Sequence, residues 1–303
     1  MTPEHGFLDS IWEDLDDDAT KLIFSDWLDE RDDWRAEILR WQVERNRHGF
    51  WTRPYKQLHT QIISLLYERG KDWVTPLSRY TVRYSDGTGL LWLRMPPSAF
   101  AKLAEPRTSE GVHRWVTEVS LDGGKIASVL TALDRGPDVR IFLNFSRTSS
   151  NDIGTSLVSS PNLRRVRSLD FTFSNLHARD LRTLLHSSAL SPLQYLFFGF
   201  SDGVSEVPNL LAEANQLTNL RGLDLAQCGL KDADLEKLAR APALGGLTAL
   251  YLERNRFGVR GVSALVESRV LKNLRVLDLR SCGLKETDVA GKLVREHFPF
   301  ATI

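Results

Sequence analysis

The sequence predicts an α/β solenoid with a parallel sheet on its concave side, helices on its convex side and a small all-α N-terminal domain. Five leucines of the C-terminal half recur every 27 residues, at Leu169, Leu196, Leu223, Leu250 and Leu277. Each lies in a strand-like pattern that a helical pattern follows, and further helical patterns fill the first 48 residues. A fixed period of this length is typical of stacked repeats that share one core.

The strand of each repeat is defined by alternating apolar residues. The frame is Leu/Val-x-x-Leu-x-Leu/Phe-x-x-Ser/Cys/Asn, so that Leu223 and Leu225 of one copy lie on the same face of a strand. The Ser/Cys/Asn position, such as Cys228 or Asn255, ends the strand. We expect its side chain to bond backbone groups that the bending chain leaves free or, as Cys, to fill a small apolar space.

A helical pattern follows each strand. In Asp232-Ala-Asp-Leu235-Glu-Lys-Leu238, Leu235 and Leu238 fall on one helical face, and we expect an Asp near the start to cap the helix. The same pattern recurs at Leu181, Leu184 and Leu185, at Val262, Leu265 and Val266, and at Val289 and Leu293. One strand and one helix cannot bury their apolar faces alone, so the repeats must stack.

Two copies of Leu-Asp-Leu-x-x-Cys-Gly-Leu, at 223–230 and 277–284, flank Asn255-Arg-Phe-Gly-Val-Arg-Gly-Val262. Residues 160–295 therefore resemble the leucine-rich repeats, and in particular the ribonuclease-inhibitor-like subclass, which often alternates a Cys-type with an Asn-type repeat. Two degenerate copies precede them, over Trp115–Leu133 and Val139–Phe145. The resemblance implies a leucine-rich-repeat solenoid of about seven repeats that presents a surface to another macromolecule.

The first 48 residues contain Asp-Trp-Leu-x-Glu-Arg at 26–31 and Arg-Ala-Glu-x-x-Arg-x-Gln at 35–42. They resemble the bacterial repeat-companion domain, which commonly precedes leucine-rich repeats and has usually a Gly where this chain has Asp32. The resemblance implies a helical architecture and no particular chemistry. Helical periodicity places Leu22, Ile23, Trp27 and Leu28 on one face of the first helix of this motif, and Ile38, Leu39 and Trp41 in the next.

These patterns divide the chain into three parts: residues 1–48, the helical companion domain; residues 49–111, a connector and N-terminal cap; and residues 112–303, the repeats. In the connector, Gln57–Arg69 has a helical pattern. Arg79–Tyr84 and Leu90–Arg94 flank residues 85–89, Ser-Asp-Gly-Thr-Gly, which is typical of a hairpin turn. We expect the hairpin to cover the open edge of the first repeat.

Charge and composition exclude several classes of protein. The formal net charge is zero, although residues 1–34 carry twelve acids and two bases and residues 35–83 carry ten bases and four acids. No stretch reaches the roughly 18 apolar residues of a membrane span, and the start lacks the pattern of a signal peptide. We therefore expect a cytoplasmic protein without a membrane partner, in which Cys228 and Cys282 stay reduced.

The candidate partner-binding residues lie at strand positions that point away from the core. An aromatic patch is expected on the concave face, with charged residues around it. The aromatic residues are Phe173, Tyr195, Phe197, Phe200 and Tyr251, and the charged ones are Asp170, Asp224, Glu253, Arg254, Asp278 and Arg280. Exposed aromatic patches with a charged rim typically mark protein interfaces. The alternative is that the N-terminal domain or a tight curve covers these side chains.

The sequence predicts no catalytic residue, no cofactor and no metal. Asp170, Asp224 and Asp278 lie in alternate repeats, roughly 10 Å apart, which is too far for one ion or a carboxylate pair. Cys228 and Cys282 are two repeats apart, beyond the roughly 7 Å that a disulfide allows between Cα atoms. The seven histidines have no ligand spacing, and no phosphate-binding loop, nucleophile elbow or zinc motif is present.

The predicted function is therefore non-catalytic recognition of a protein partner on the concave face. The alternative is a recognition subunit of a larger enzyme or of a nucleic-acid-associated complex. Its basis is the basic stretch 35–83 with the aromatic residues in and beside it, because single-stranded nucleic acid is held by Arg and aromatic side chains. These aromatic residues are Trp34, Trp41, Trp51, Tyr55, Trp73 and Tyr80. The partner and the oligomeric state do not follow from the sequence.

Overall fold

The computed structural model describes residues 2–48, 52–80, 83–84, 90–122, 124–149 and 152–303. The chain forms two compact units, one of Met1–Gly124 with Thr131–Ile141 and one of Lys125–Leu130 with Phe142–Ile303. The predicted hairpin turn at 85–89 and the aromatic residue Trp51 lie outside the described residues. The three-part division of the chain stays a prediction.

The first unit begins with helices and continues into strands. Its helices are α1 (Pro3–Glu13), α2 (Asp18–Asp29), α3 (Arg35–Asn46), α4 (Arg53–Glu68), α5 (Lys71–Val74) and α6 (Pro97–Phe100), and its strands are β1 (Arg83–Tyr84), β2 (Leu91–Met95) and β3 (Val116–Asp122). Strand β1 pairs antiparallel with β2, and β2 pairs parallel with β3. The predicted strand–turn–strand segment thus lies at the edge of β3, although Arg79 and Tyr80 belong to a 3-10 helix.

The buried face of α2 differs from the predicted one. Ile23 is 60% exposed, whereas Phe24 and Leu28 are buried together with Lys21 and Ser25. An aromatic cluster holds Phe24 in place, because its ring lies 5.0 Å from that of Phe7 and 5.4 Å from that of Trp115. The apolar periodicity alone did not find this face because two polar side chains occupy it.

The acidic and basic stretches of the N-terminal region pair with each other. Arg35 contacts Glu4 at 2.7 Å and Asp33 at 2.6 Å. Arg40 contacts Asp26 at 2.9 Å and Asp29 at 3.1 Å. The charge separation seen in the sequence is therefore compensated within the unit at these positions.

Asp32, in the turn between α2 and α3, has a left-handed backbone with φ of 53°. Its side chain is exposed. A Cβ atom is unfavourable in this conformation, which glycine adopts freely. A glycine would therefore suit this position better than Asp32 does.

We expect Asp32→Gly to raise the free energy of unfolding by about 0.5–1 kcal/mol, because it removes the strain of a left-handed non-glycine residue. Urea unfolding of the full chain, followed by tryptophan fluorescence, measures the change. Glu30→Gly is the control, since Glu30 is exposed and has a right-handed φ of −56°, so that this change should destabilise. A loss of stability in Asp32→Gly equal to that of the control would contradict the expectation.

The second unit repeats strand and helix along the chain. Its elements are α8 (Ile153–Val158), β5 (Val166–Asp170), α9 (Ala178–Leu185), β6 (Tyr195–Phe197), α10 (Val207–Glu213), β7 (Gly222–Asp224), α11 (Asp232–Leu238), β8 (Ala249–Tyr251), α12 (Val259–Val266), β9 (Val276–Asp278) and α13 (Val289–His297). Helix α7 (Ile126–Arg135) and strand β4 (Arg140–Asn144) contribute residues to both units. The two degenerate upstream copies thus form the predicted strands and helix.

Strands β5 to β9 pair parallel in chain order, with Leu169, Leu196, Leu223, Leu250 and Leu277 in register. These leucines are at most 1% exposed. Two residues further on, Phe145, Phe171 and Phe198 stack in the core at ring distances of 5.7 and 5.8 Å. The predicted α/β leucine-rich-repeat solenoid with a helical N-terminal region is confirmed.

The Ser/Cys/Asn position joins each repeat to its neighbours through buried hydrogen bonds. Ser174 Oγ donates to Phe145 O at 2.9 Å, and Ser201 Oγ donates to Phe171 O at 2.6 Å. Cys282 Sγ contacts Leu252 O at 3.1 Å. The expected bonding of this side chain to free backbone groups is thus present.

The side chain of Asn255 forms four hydrogen bonds at this position. Its Nδ2 donates to Leu225 O and Leu252 O, both at 2.8 Å, and its Oδ1 accepts from the N–H groups of Cys228 at 3.1 Å and Leu230 at 2.9 Å. The residue is 1% exposed. One amide therefore satisfies four backbone groups of two adjacent repeats.

We expect Asn255→Ala to lower the free energy of unfolding by about 2–4 kcal/mol, because four buried backbone groups lose their partner. Thermal and urea unfolding measure the loss. Asn219→Ala is the matched control, since Asn219 is exposed and makes one bond, to Ser191 O. Equal effects of the two substitutions would contradict the role of the buried amide.

Helix termini show a second kind of link between repeats. Asp232 is the first residue of α11, and the turn is capped instead by Asp234, which accepts from Lys231 N–H at 3.0 Å. Asp232 Oδ1 accepts from Gly258 N–H at 2.7 Å and from Gly261 N–H at 2.9 Å, in the next repeat. The expected cap by an Asp near the start of this helix is therefore made by Asp234, while Asp232 binds the start of the neighbouring helix.

Candidate functional site

The strand register brings the predicted site residues together. Asp170, Phe197, Asp224, Tyr251 and Asp278 are in register across β5 to β9. Two positions earlier on each strand lie Ser168, Tyr195, Gly222, Ala249 and Val276, which are also in register. Since side chains alternate along a strand, both columns lie on the same face of the sheet, which we call the open face. The columns predicted from the repeat frame are thus those of the structure.

Exposure of the predicted residues is uneven. Tyr251 and Asp278 are each only 6% exposed, so they do not face solvent as expected. Asp170, Tyr195, Phe197, Phe200, Asp224 and Glu253 are partly exposed, and Phe173, Arg254 and Arg280 are exposed. Tyr251 is flanked by Asp224 and Asp278 in the column. The burial of Tyr251 could not be predicted from the repeat pattern, because that pattern assigns the same exposure to every residue of the column.

The aromatic residues form two stacked pairs on the solvent side. The rings of Phe173 and Phe200 lie 4.9 Å apart at 26°. The rings of Tyr195 and Phe197 lie 6.4 Å apart at 5°. Gly222 makes room for Tyr195, because a Cβ atom there would meet the ring at 2.8 Å. Of the five aromatic residues predicted for the patch, four thus form two exposed or half-exposed pairs, and the fifth, Tyr251, is buried.

The three aspartates of the column have a structural role that sequence reasoning missed. The Oδ1 atoms of Asp170 and Asp224 each accept a hydrogen bond from the backbone N–H two residues on, at Thr172 and Ala226, both at 2.8 Å. Asp278 accepts in the same way from Arg280 at 3.1 Å. Asp and Asn are the residues that form such turns, so the repeated Leu-Asp-Leu of the motif was the available signal.

Charge on the open face is partly compensated. Arg280 contacts Asp278 at 2.5 Å and Glu253 at 2.8 Å. The pKa of Asp224 is raised to about 7, chiefly by burial and also by repulsion from Asp170, Glu253 and Asp278. Gly199 leaves space for this carboxylate, because a Cβ atom there would lie 2.5 Å from Asp224 Oδ2. Asp224 is thus an acid that the fold holds partly uncharged.

Each strand of the second unit is followed by a residue with a left-handed backbone. The φ values are 61° at Arg147, 58° at Phe173, 59° at Phe200, 50° at Gln227, 58° at Arg254 and 58° at Ser281. We call these six residues the turn row. This conformation could not be predicted from residue type, because none of the six is Gly, Asn or Asp, the residues that usually adopt it.

Other candidate chemistry lies elsewhere. In the described ranges, no group of three or more His, Cys, Asp and Glu side chains is arranged to hold a metal ion. Burial raises the pKa of the Cys228 thiol to about 12 and that of Cys282 to about 11, so both thiols resist ionisation. Two open hollows of about 910 and 900 Å³ include Arg260 in their walls, and neither is lined by a predicted site residue.

The aromatic residues of the basic segment are largely packed. Tyr55 and Tyr80 are 3% and 4% exposed, and Trp34 lies edge-on to Trp73 at 5.6 Å. Stacking platforms for bases require exposed rings. The part of the chain that the structure describes has no helix long and apolar enough to cross a membrane.

Comparison with known proteins finds a family model and solved structures to which this chain is similar. A model of the leucine-rich repeat matches residues 216–239. Among solved structures, an internalin (inlF) from Listeria monocytogenes is similar at 19% identity and a TM-score of 0.32, covering 55% of this chain. The match spans 42% of the internalin, less than half its length. No curated protein matches.

We expect Asp224→Asn to stabilise the chain by about 1–2 kcal/mol at pH 8 and to leave stability nearly unchanged at pH 4. Because the folded-state pKa of about 7 is above the ordinary 3.8, folding favours the protonated acid, and the parent loses stability as the pH rises from 4 through 7. Urea midpoints at the two pH values measure the difference.

Asp224→Ala serves as the control for this substitution. It removes the same charge but also the acceptor for Ala226 N–H, which the Asn side chain keeps. The Asn variant should therefore be the more stable of the two at pH 8. An Asn variant whose advantage over the parent is the same at both pH values would contradict the raised pKa.

Proposed function

We propose that the protein is a non-catalytic recognition scaffold that binds a protein partner on the open, concave face of its repeats. The observation that carries the proposal is the stacked pair of Phe173 and Phe200 in the turns beside this face, because Phe173 is 53% exposed in a folded domain. Tyr195 and Phe197 add a second, half-exposed pair. Large aromatic side chains at the surface are the residues that contribute most to protein interfaces.

Several finer assignments belong to the same proposal. Residues 1–48 form a repeat-companion domain, and the repeats are of the ribonuclease-inhibitor-like subclass, as the Cys228–Asn255–Cys282 alternation supports. The protein acts in the cytoplasm, where its two free cysteines stay reduced. It uses no cofactor or metal. The proposed contacts with the partner are Asp170, Phe173, Tyr195, Phe197, Phe200, Asp224, Glu253, Arg254 and Arg280. Tyr251 and Asp278 are buried in the same face and pack beside these contacts.

The test is affinity capture from the source cells with the parent chain and with the triple variant Phe173→Ser, Phe197→Ser, Phe200→Ser. The variant leaves Tyr251 unchanged because that side chain is only 6% exposed. We expect the parent to retain one stoichiometric protein and the variant to lose it by at least about ten-fold, since hot-spot aromatics each contribute about 1.4 kcal/mol or more.

The matched control is Tyr67→Ser, which removes an aromatic side chain that is 67% exposed on α4. It should leave capture intact, and all variants should melt like the parent. Retention of the same proteins by the triple variant would refute the proposed face. Stoichiometric RNA in place of a protein would favour the nucleic-acid alternative.

A further inference from the structure

The backbone of the turn row is set by the repeat and not by its side chains. The N–H of Phe173 donates to Gly199 O at 3.0 Å, and that of Phe200 donates to Ala226 O at 2.7 Å. The N–H of Arg254 donates to Arg280 O at 2.9 Å in the same way. A left-handed position imposed by the fold favours Gly or Asn, and bulky side chains are costly there. Two phenylalanines and two arginines in this row therefore need a reason other than backbone conformation.

Four of these side chains form one continuous stack. The guanidinium carbon of Arg147 lies 5.8 Å from the centre of the Phe173 ring, and that of Arg254 lies 5.5 Å from the centre of the Phe200 ring. The two rings lie 4.9 Å apart. The order is cation, ring, ring, cation, although Gln227 occupies the repeat between Phe200 and Arg254.

The two cations at the ends of the stack lack counterions. Arg147 and Arg254 are exposed, and across the described residues no carboxylate forms an ion pair with either guanidinium. Arg280 on the open face is different, since it contacts Asp278 at 2.5 Å and Glu253 at 2.8 Å. A guanidinium stacked on a ring keeps its N–H edge free for a planar anion, because stacking uses only its face.

We propose that the turn row binds an acidic peptide segment of the protein partner. One carboxylate of the segment pairs with Arg147, another pairs with Arg254, and an apolar side chain between them packs on Phe173 and Phe200. This proposal rests on the proposed function and specifies the chemistry of its partner. It adds Arg147, which no repeat column contained, to the residues that contact the partner.

The stack also sets the spacing of the two acids. Its three steps of 5.8, 4.9 and 5.5 Å place the two guanidinium carbons no more than about 16 Å apart. An extended peptide advances roughly 3.3 Å per residue, so the carboxylates belong to residues about four or five positions apart. The segment is therefore short, with an acid at each end and an apolar residue between.

Charge on the neighbouring strands favours a peptide over a nucleic acid. A single strand of RNA carries a charge at every phosphate and needs a continuous basic track. The row has two cations at its ends, and the open face beside it carries Asp170, Glu253 and Asp278 against the single cation Arg280. Two separated carboxylates match the two separated cations. The phosphates of a polyanion would be repelled by the acidic side chains of the open face.

The experiment selects random 12-residue peptides, displayed on phage, on the immobilised full-length chain. We expect enriched peptides to carry two acids four or five positions apart with a large apolar residue between them. Individual peptides should bind the double variant Arg147→Glu, Arg254→Glu at least ten-fold more weakly. A selection on this variant should enrich Lys or Arg at the same spacing. The control variant Arg179→Glu, Arg240→Glu, which changes two exposed arginines elsewhere, should bind as the parent does.

Several results would overturn the proposal. These are a failure to enrich paired acids, equal binding of the enriched peptides to the charge-reversed variant, and single-stranded RNA whose binding requires Arg147 and Arg254. Binding that survives the charge reversal but is lost in the triple phenylalanine variant would overturn the pairing of acids with Arg147 and Arg254 and leave the proposed function standing. Phe173→Ala tests the ring separately, since it should weaken peptide binding while both arginines remain.

Discussion

The stacking of repeats depends on polar groups that are buried at the seam between one strand and the next. Each time the chain turns out of a strand, backbone carbonyls and N–H groups are left inside the solenoid, where an unsatisfied group costs about 1–3 kcal/mol. Ser174, Ser201, Cys228, Asn255 and Cys282 meet these groups from the neighbouring repeat. Packing of the leucines is favourable but non-directional. The hydrogen bonds of the Ser/Cys/Asn side chains are directional, and they therefore determine which residues of adjacent repeats align.

The same seam positions the surface. Phe200 and Arg254 are left-handed although Phe197 and Tyr251 stand where other repeats have an aspartate, so the backbone bonds between repeats, and not the aspartates, place the turn row. The pairing of repeats therefore positions both the open face and the row. The fold decides where these side chains lie, while their chemistry is free to vary from repeat to repeat, which is how a solenoid acquires a partner.

The repeat spacing was enough to predict the solenoid, the strand register and the column that contains Phe197. It was not enough for Tyr251 and Asp278, which are buried by neighbours that differ from repeat to repeat. It also missed Arg147, because β4 precedes the regular period. In the N-terminal helices, periodicity placed Ile23 inside although Lys21 and Ser25 occupy the buried face. The buried face of this helix is set by packing on residues distant in sequence, such as Trp115 on Phe24, and spacing carries no information about such contacts.

The core beneath the strands changes composition along the second unit. Phe145, Phe171 and Phe198 stack in its earlier part, and Leu225, Leu252 and Leu279 occupy the equivalent position later. A phenyl ring packed between two others cannot be exchanged for a smaller aliphatic chain without leaving a void. The repeats are therefore not interchangeable modules, and a chimaera that joins an early repeat directly to a late one would have mismatched interiors at the junction.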